Sequence, residues 1–284
     1  MALSGPQPHE LQLKFVPASS VALHEETDPT RVARIRQALD LDGVLRNPPV
    51  VGGSTVLDGA TRTTALRELG VRHLLVQEVP YGGADSVELH SWYHVVPPAA
   101  ARKVLEAVAT GKHTDFIAET TSLSEATAEL NRFSGGEPSR ACAALAVSAT
   151  DAILLRPSSA AVSTPKILRE LVQSYGGSHE IYRIVHEDLV STVKRAVQSP
   201  LIVMFPRFTP EQIEKSAHNA DLLPAGITRH IIPGRALNLN VSLHRLLSST
   251  PIEEKNEWLR EVIEKKVLEK KVRFYHEPVF VFDD

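Results

Sequence analysis

Asp58, Gly59, Thr61 and Arg62 lie in the stretch Val56-Leu57-Asp58-Gly59-Ala60-Thr61-Arg62. An acid, a glycine turn, a hydroxyl and an arginine in that order suit phosphate handling if a strand ends at Asp58 and a helix starts near Ala60. The first N–H groups of a helix have no internal partner, and the helix dipole favours an anion beside them. Arg62 adds a fixed positive charge. Asp58 would repel a phosphate, so its use there is to orient a hydroxyl or to hold a metal that bridges phosphates. The same residues also fit a plain glycine turn in which Asp58 accepts backbone N–H bonds. The two common phosphate-loop patterns, G-x-x-x-x-G-K-[ST] and a strand-linked G-x-G-x-x-G, do not occur, so a nucleotide site here has another design.

A second group is His24-Glu25-Glu26, just ahead of Asp28-Pro29. Asp28 reads as a helix N-cap with Pro29 at the first helical position. Glu25 and Glu26 are therefore not needed for capping and are open to acid–base work. A third group is Thr228-Arg229-His230, with Trp92 far upstream. An arginine fork recognises carboxylates, although an arginine on a strand is also an ordinary surface residue. The 12 histidines show no H-E-x-x-H or similar ligand spacing, which argues against a zinc enzyme. The single cysteine, Cys142, rules out a disulfide framework and reads as a small core residue.

The elements that must position these groups follow from periodicity. Leu11–Val16 alternates as a half-buried strand ended by Pro17. A helix runs from Pro29, with Val32, Ile35 and Leu39 on one face, to a stop at Gly43. Val50-Val51 and Thr55–Asp58 flank Gly52-Gly53-Ser54 as a hairpin. A helix from Ala60 to Gly70, a strand over His73–Val79 and extended chain over Ser86–Val96 follow. Beyond Pro97-Pro98 the pattern predicts helices at Ala99–Thr110, from the capping box Ser122–Glu125, from Thr164-Pro165 to Gly176, at Leu189–Val197, and from Thr209 to Asn219. Strands are predicted at Thr114–Thr120, Ala141–Val147, Ala152–Leu155, Leu201–Phe205 and Val279–Phe282. Ile252–Val272 reads as a long charged helix resting on Trp258, Val262, Ile263 and Val267. Strands and helices mix without a βαβ rhythm, which predicts an α+β fold with a mixed sheet. The proline pair predicts a boundary, with one domain over 1–97 and an α/β domain over 98–284.

The chain has 284 residues, 43% of them hydrophobic and 23% charged, and a formal net charge of -3. That balance argues against bulk affinity for nucleic acid, which needs clustered positive charge, while leaving room for a local basic patch. The first ten residues lack an apolar core of a signal peptide, and no run reaches the ~18 apolar residues of a membrane span. A cytoplasmic protein without a membrane partner is expected.

The Asp-Gly-x-x-Arg turn resembles the signature of the ParB/sulfiredoxin superfamily. Within it the match is to the free L-serine kinases, and nearest to the branch encoded with siderophore-biosynthesis genes. Leu23-His24-Glu25, Arg46-Asn47-Pro48, Val76-Gln77-Glu78 and Ser91-Trp92-Tyr93-His94 carry the resemblance along the chain. So do Pro224-Ala225-Gly226-Ile227-Thr228-Arg229 and Gly234-Arg235-Ala236-Leu237-Asn238-Leu239. Residues 100 to 200 match poorly.

The resemblance implies a ParB/sulfiredoxin-like nucleotide-binding domain at the N-terminus, packed on a C-terminal domain that completes the substrate site. It implies transfer of a phosphoryl group from ADP, or ATP, to the hydroxyl of free L-serine, giving O-phospho-L-serine, with Mg²⁺. Glu25 is implied as general base and Asp58 as a catalytic residue serving magnesium directly or indirectly. Asn47, Gly59, Ala60, Thr61 and Arg62 are implied to hold the nucleotide phosphates. Trp92, Thr228, Arg229 and His230 are implied to hold serine. Relatives often carry histidine where this chain has Thr61, which removes any proton transfer at that position. Sulfiredoxins need a cysteine in the turn, and partition proteins a glycine–acid–arginine–arginine box with a helix-turn-helix; this chain has neither. The alternative function is a ParB-like, ligand-sensing regulator that binds DNA.

Overall fold

The computed structural model describes residues 11–83, 87–110, 115–134, 137–138, 140–176, 181–195 and 201–273. The predicted strand at Val279–Phe282, Thr114 and the end of the helix predicted to Val197 lie outside these residues. Contacts divide the chain into two compact units. One is Met1–Ala22, Thr27–Val87 and Ile232–Asp284, and the other is Leu23–Glu26 and Glu88–Ile231. A single cut at Pro97 falls inside the second unit. The short His-Glu segment belongs to the second unit although its sequence neighbours on both sides belong to the first.

In chain order the first unit begins with β1 (Gln12–Pro17) and β2 (Ala22–Leu23), whose last residue is assigned to the second unit. Then come α1 (Pro29–Asp42), β3 (Val44–Leu45), β4 (Val50–Gly52), β5 (Thr55–Asp58), α2 (Ala60–Glu68) and β6 (His73–Glu78). Its sheet has the order β1-β6-β4-β5-β2. β1 and β6 are antiparallel, β4 and β6 parallel, and β4 and β5 form the expected hairpin. The Asp28 side chain accepts from the Thr30 and Arg31 N–H groups at the start of α1, and Gly43 closes the helix in the left-handed region. The core strands are apolar on both faces: Leu74, Leu75 and Val76 have no measurable exposure.

The second unit continues with β7 (Glu88–Ser91), β8 (Tyr93–Val96), α3 (Pro98–Ala109), β9 (Phe116–Ser122), α4 (Leu123–Leu130), β10 (Phe133–Ser134) and β11 (Glu137–Pro138). It is completed by β12 (Ala143–Ala146), β13 (Asp151–Pro157), α5 (Thr164–Tyr175), β14 (Tyr182–Ile184), α6 (Leu189–Arg195), β15 (Leu201–Met204), α7 (Pro210–His218) and β16 (Thr228–Ile231). Six strands in the order β14-β8-β15-β12-β13-β9 make an antiparallel sheet. The α+β class therefore holds, with one mixed and one antiparallel sheet. Capping boxes start α4 at Ser122 and α7 at Thr209. The cap of α5 is Ser163, one residue before the predicted Thr164, because its hydroxyl accepts from the Lys166 N–H. Cys142 is fully buried, and burial pushes its thiol up to about 12.

The chain then returns to the first unit as β17 (Val241–Ser242), paired with β3, α8 (Leu243–Leu247) and α9 (Ile252–Leu268). α9 stops short of Val272; its fully buried residues are Lys255 and Leu259, and of the predicted apolar set Trp258, Val262 and Ile263 are half-buried. Val267 is exposed. Lys255 can be buried because its ammonium donates to the Leu246 carbonyl at 3.0 Å and lies 5.6 Å from the centre of the Phe15 ring.

Candidate functional site

The residues predicted to form the site fall into two clusters, one in each unit. In the first unit, α2 starts at Ala60 with Gly59 as N-cap and no side chain capping it. Among the described residues the N–H groups of Ala60, Thr61 and Arg62 have no hydrogen-bond acceptor; the first intrahelical bond is from the Thr63 N–H to the Gly59 carbonyl. The Thr61 hydroxyl is likewise without a partner among the described residues. The backbone requires glycine at position 59. Its φ is +88°, and a Cβ there would lie 2.9 Å from Arg62 Nη2 and 3.2 Å from Pro49 Cα. The guanidinium thus folds back over the glycine.

Arg62 Nη2 donates to Asp58 Oδ2 at 2.8 Å, and Arg235 Nη1 donates to the same oxygen at 2.8 Å. Asp58 therefore gathers two arginines at the helix start. Arg62 Nε is buried and has no acceptor. A buried N–H without a partner calls for an explanation, and beside uncapped helix N–H groups such a donor is suited to an anion. The sequence gives no role to Arg235 beyond its place in the Gly234–Leu239 block. Gln77, 2% exposed, clamps that loop by donating to the Gly234 carbonyl at 3.1 Å and accepting from the Ala236 N–H at 2.8 Å. Asn47 Oδ1 accepts from the Asn238 N–H at 2.9 Å, so it fastens the same loop.

In the second unit the His-Glu segment docks on residues two hundred positions away. The Glu26 N–H donates to the Leu223 carbonyl and the Leu223 N–H to the His24 carbonyl, both at 2.8 Å. The Glu25 carboxylate then receives the turn that follows. Gly226 N–H donates to Oε2 at 2.8 Å, while Ile227 N–H, at 3.2 Å, and Thr228 N–H, at 2.8 Å, donate to Oε1. The Thr228 hydroxyl adds a fourth bond to the carboxylate, the third to Oε1, at 2.6 Å. Gly226 has φ +75°, and a Cβ there would collide with the Arg183 guanidinium, so the turn needs glycine. Glu26 is more exposed and lies 3.8 Å from Arg169, which also pairs with Asp221 and donates to the Leu222 carbonyl.

β16 pairs with β7, which sets Thr228 opposite Ser91 and Arg229 opposite His90. Trp92 follows directly, its N–H donating to the Ile227 carbonyl at 2.9 Å. Arg229 stacks over the Trp92 ring at 5.1 Å and has no carboxylate partner among the described residues. It lines a small open cleft with His90, Ser91, His186, Glu187 and Arg207. His230 stands edge-on to His24, the ring centres 5.4 Å apart. Beneath the turn, buried His94 lies 3.0 Å from the Tyr175 hydroxyl and 3.4 Å from the Gly226 carbonyl, and burial lowers it to about 4. Of the four residues predicted to hold serine, Trp92 and Arg229 are brought together, His230 stands against His24, and Thr228 spends both its N–H and its hydroxyl on Glu25.

Among the described residues no group of three or more His, Cys, Asp or Glu could hold a metal ion by itself. Mg²⁺ is commonly bound through one or two carboxylates together with substrate phosphates. Asp58, whose second oxygen has no partner among the described residues, suits that mode. No helix among the described residues is long and apolar enough to cross a membrane.

No family model matches the chain. It is 25% identical over 280 residues to the ATP-dependent L-serine kinase SbnI of Staphylococcus aureus, a homology that covers 97% of this chain and 98% of that protein. The solved structure of SbnI with a C-terminal truncation superposes with a TM-score of 0.67 at 24% identity, covering 91% of this chain and 98% of that one. A mutant free serine kinase in complex with ADP superposes with a TM-score of 0.65 at 14% identity, covering 87% and 97%. The same fold therefore runs through nearly the whole chain.

Proposed function

We propose that this protein is a free L-serine kinase, a phosphotransferase that moves a phosphoryl group from ADP or ATP to the serine hydroxyl and releases O-phospho-L-serine. The observation that carries the reading is the pair of clusters. One is an uncapped helix start with two arginines and an orphaned guanidinium N–H, suited to phosphate; the other is a carboxylate bound by the turn that leads into the strand of Arg229, an arginine stacked on Trp92 and without a carboxylate partner among the described residues, suited to an amino acid. Full-length homology to a protein named as an L-serine kinase supports the same conclusion.

Phosphoryl transfer depends on positioning and on stabilising charge. The N–H groups of Ala60, Thr61 and Arg62, the Thr61 hydroxyl, and the guanidinium groups of Arg62 and Arg235 bind the nucleotide phosphates. Asp58 orients both arginines, and its free oxygen, with the phosphates, would hold Mg²⁺. When bound, the cation offsets phosphate charge. Arg229 pairs with the serine carboxylate, Trp92 keeps it in place by stacking, and His230 completes the wall. Glu25 accepts the hydroxyl proton as the serine oxygen attacks phosphorus. The test is to incubate the protein with Mg²⁺, serine and either nucleotide, and to assay O-phosphoserine by mass spectrometry, with threonine and homoserine as competing acceptors. Phosphoserine with matching AMP or ADP is expected. Absence of product with both nucleotides would overturn the reading.

A further inference from the structure

Glu25 is the near end of a longer hydrogen-bonded chain. Thr228 Oγ1 lies 2.6 Å from Glu25 Oε1 and 2.9 Å from His24 Nε2. A carboxylate has no proton to give, so the single hydroxyl proton of Thr228 points to Oε1. Oγ1 must then accept from His24, which fixes that imidazole with its proton on Nε2. His24 is 2% and Thr228 8% exposed, so water does not compete for these bonds.

The load on the carboxylate is uneven. Oε1 receives the Ile227 N–H, the Thr228 N–H and the Thr228 hydroxyl, and Oε2 only the Gly226 N–H. Spare acceptor capacity therefore lies on Oε2.

We propose that Thr228 and His24 are positioning residues for Glu25: His24 aims the Thr228 hydroxyl, the hydroxyl pins Oε1, and Oε2 is left as the atom that takes the substrate proton. This rests on the kinase reading with Glu25 as base. In the step, the serine O–H bond breaks and its proton passes to Oε2, leaving a neutral carboxyl. The serine oxygen uses the freed pair to bond phosphorus, and the bond from phosphorus to the nucleotide's bridging oxygen breaks, its pair staying on the nucleotide phosphate. The Thr228 hydroxyl proton stays on Oγ1 throughout. Thr228 thus acts on serine through Glu25 and not by direct contact.

The experiment compares wild type with Thr228→Val, which loses the hydroxyl at similar volume, and Thr228→Ser, which keeps it. Thr228→Val is expected to lower kcat about 10- to 100-fold, the scale of one hydrogen bond to a charged group. KM for serine and for nucleotide should stay within about twofold, since an interaction made only in the transition state lowers kcat alone. Thr228→Ser should recover kcat to within about threefold of wild type. In a Glu25→Gln background Thr228→Val should cost less than about threefold, because residues acting as a unit are not additive. His24→Phe, which keeps a ring without the Nε2 proton, gives the same readouts if Thr228→Val does not fold. A rise in serine KM with kcat unchanged would make Thr228 a substrate ligand and overturn the proposal. So would a full multiplicative loss in the Glu25→Gln background. An active wild type with unimpaired Thr228→Val removes this proposal alone; a wild type that forms no phosphoserine removes it together with the kinase reading.

Discussion

Replacing Glu25 by glutamine changes one oxygen to an amide nitrogen and should disturb both chemistry and folding. The amide oxygen can face the three donors that now meet Oε1, but the NH₂ group must then face the Gly226 N–H, which stands 2.8 Å from Oε2. Two donors meet there, one charge-assisted bond is lost, and a backbone N–H at a largely buried site is left unsatisfied. That costs about 1–3 kcal/mol. At roughly 2–4 °C per kcal/mol for a chain of 150–250 residues, the melting temperature should fall by about 2–12 °C. Loss of the base should lower kcat about 10²–10⁴-fold. The nucleotide dissociation constant should be unchanged, because the phosphate cluster draws on none of these atoms. Phosphoserine formation, nucleotide titration and thermal melting on one preparation separate the effects. A Glu25→Gln protein with full turnover refutes the base assignment and directs attention to Glu26. A lost activity with an unshifted melting temperature refutes the four-bond cradle.

The phosphate cluster predicts that Arg235→Gln raises the nucleotide KM about 10- to 100-fold, the scale of one charge-assisted bond, with serine KM unchanged; steady-state kinetics with each substrate varied decides it. His94 predicts a pH effect on stability. Burial holds it at about 4 in the folded protein, below 6.5 when unfolded, so the unfolded chain binds the extra proton first. Stability should therefore fall as pH drops from 6.5 towards 4, by up to about 3 kcal/mol. His94→Gln should flatten that part of the melting-temperature profile; an equally steep profile would contradict the account.

The local parts of the site were legible because short-range chemistry writes them. A period-two strand, a glycine that must take positive φ and the first turn of α2 lie within consecutive residues, as do the Asp28 and Ser122 caps. The long-range parts left little trace. Glu25 meets its donors 201 to 203 positions later, and Asp58 meets Arg235 177 positions later, so nothing near either acid announces its partner. The resemblance blocks held these residues, yet their roles appear only when Gln77 is seen clamping the Arg235 loop and Thr228 is seen facing Glu25. On α9 the apolar pattern misled, because a lysine took the inward position once a carbonyl and an aromatic ring were there to receive it.

Transfer of phosphate to free serine can be followed directly. The direct measurement supplies the protein with Mg²⁺, L-serine and ADP radiolabelled in its terminal phosphate, and in parallel ATP labelled the same way, and follows the label by chromatography. Label is expected in O-phosphoserine, dependent on both serine and protein and formed about 10²–10⁴-fold more slowly by Glu25→Gln. Label appearing only in inorganic phosphate, or none released while the protein binds DNA in a salt-dependent manner, would contradict it and favour a regulator.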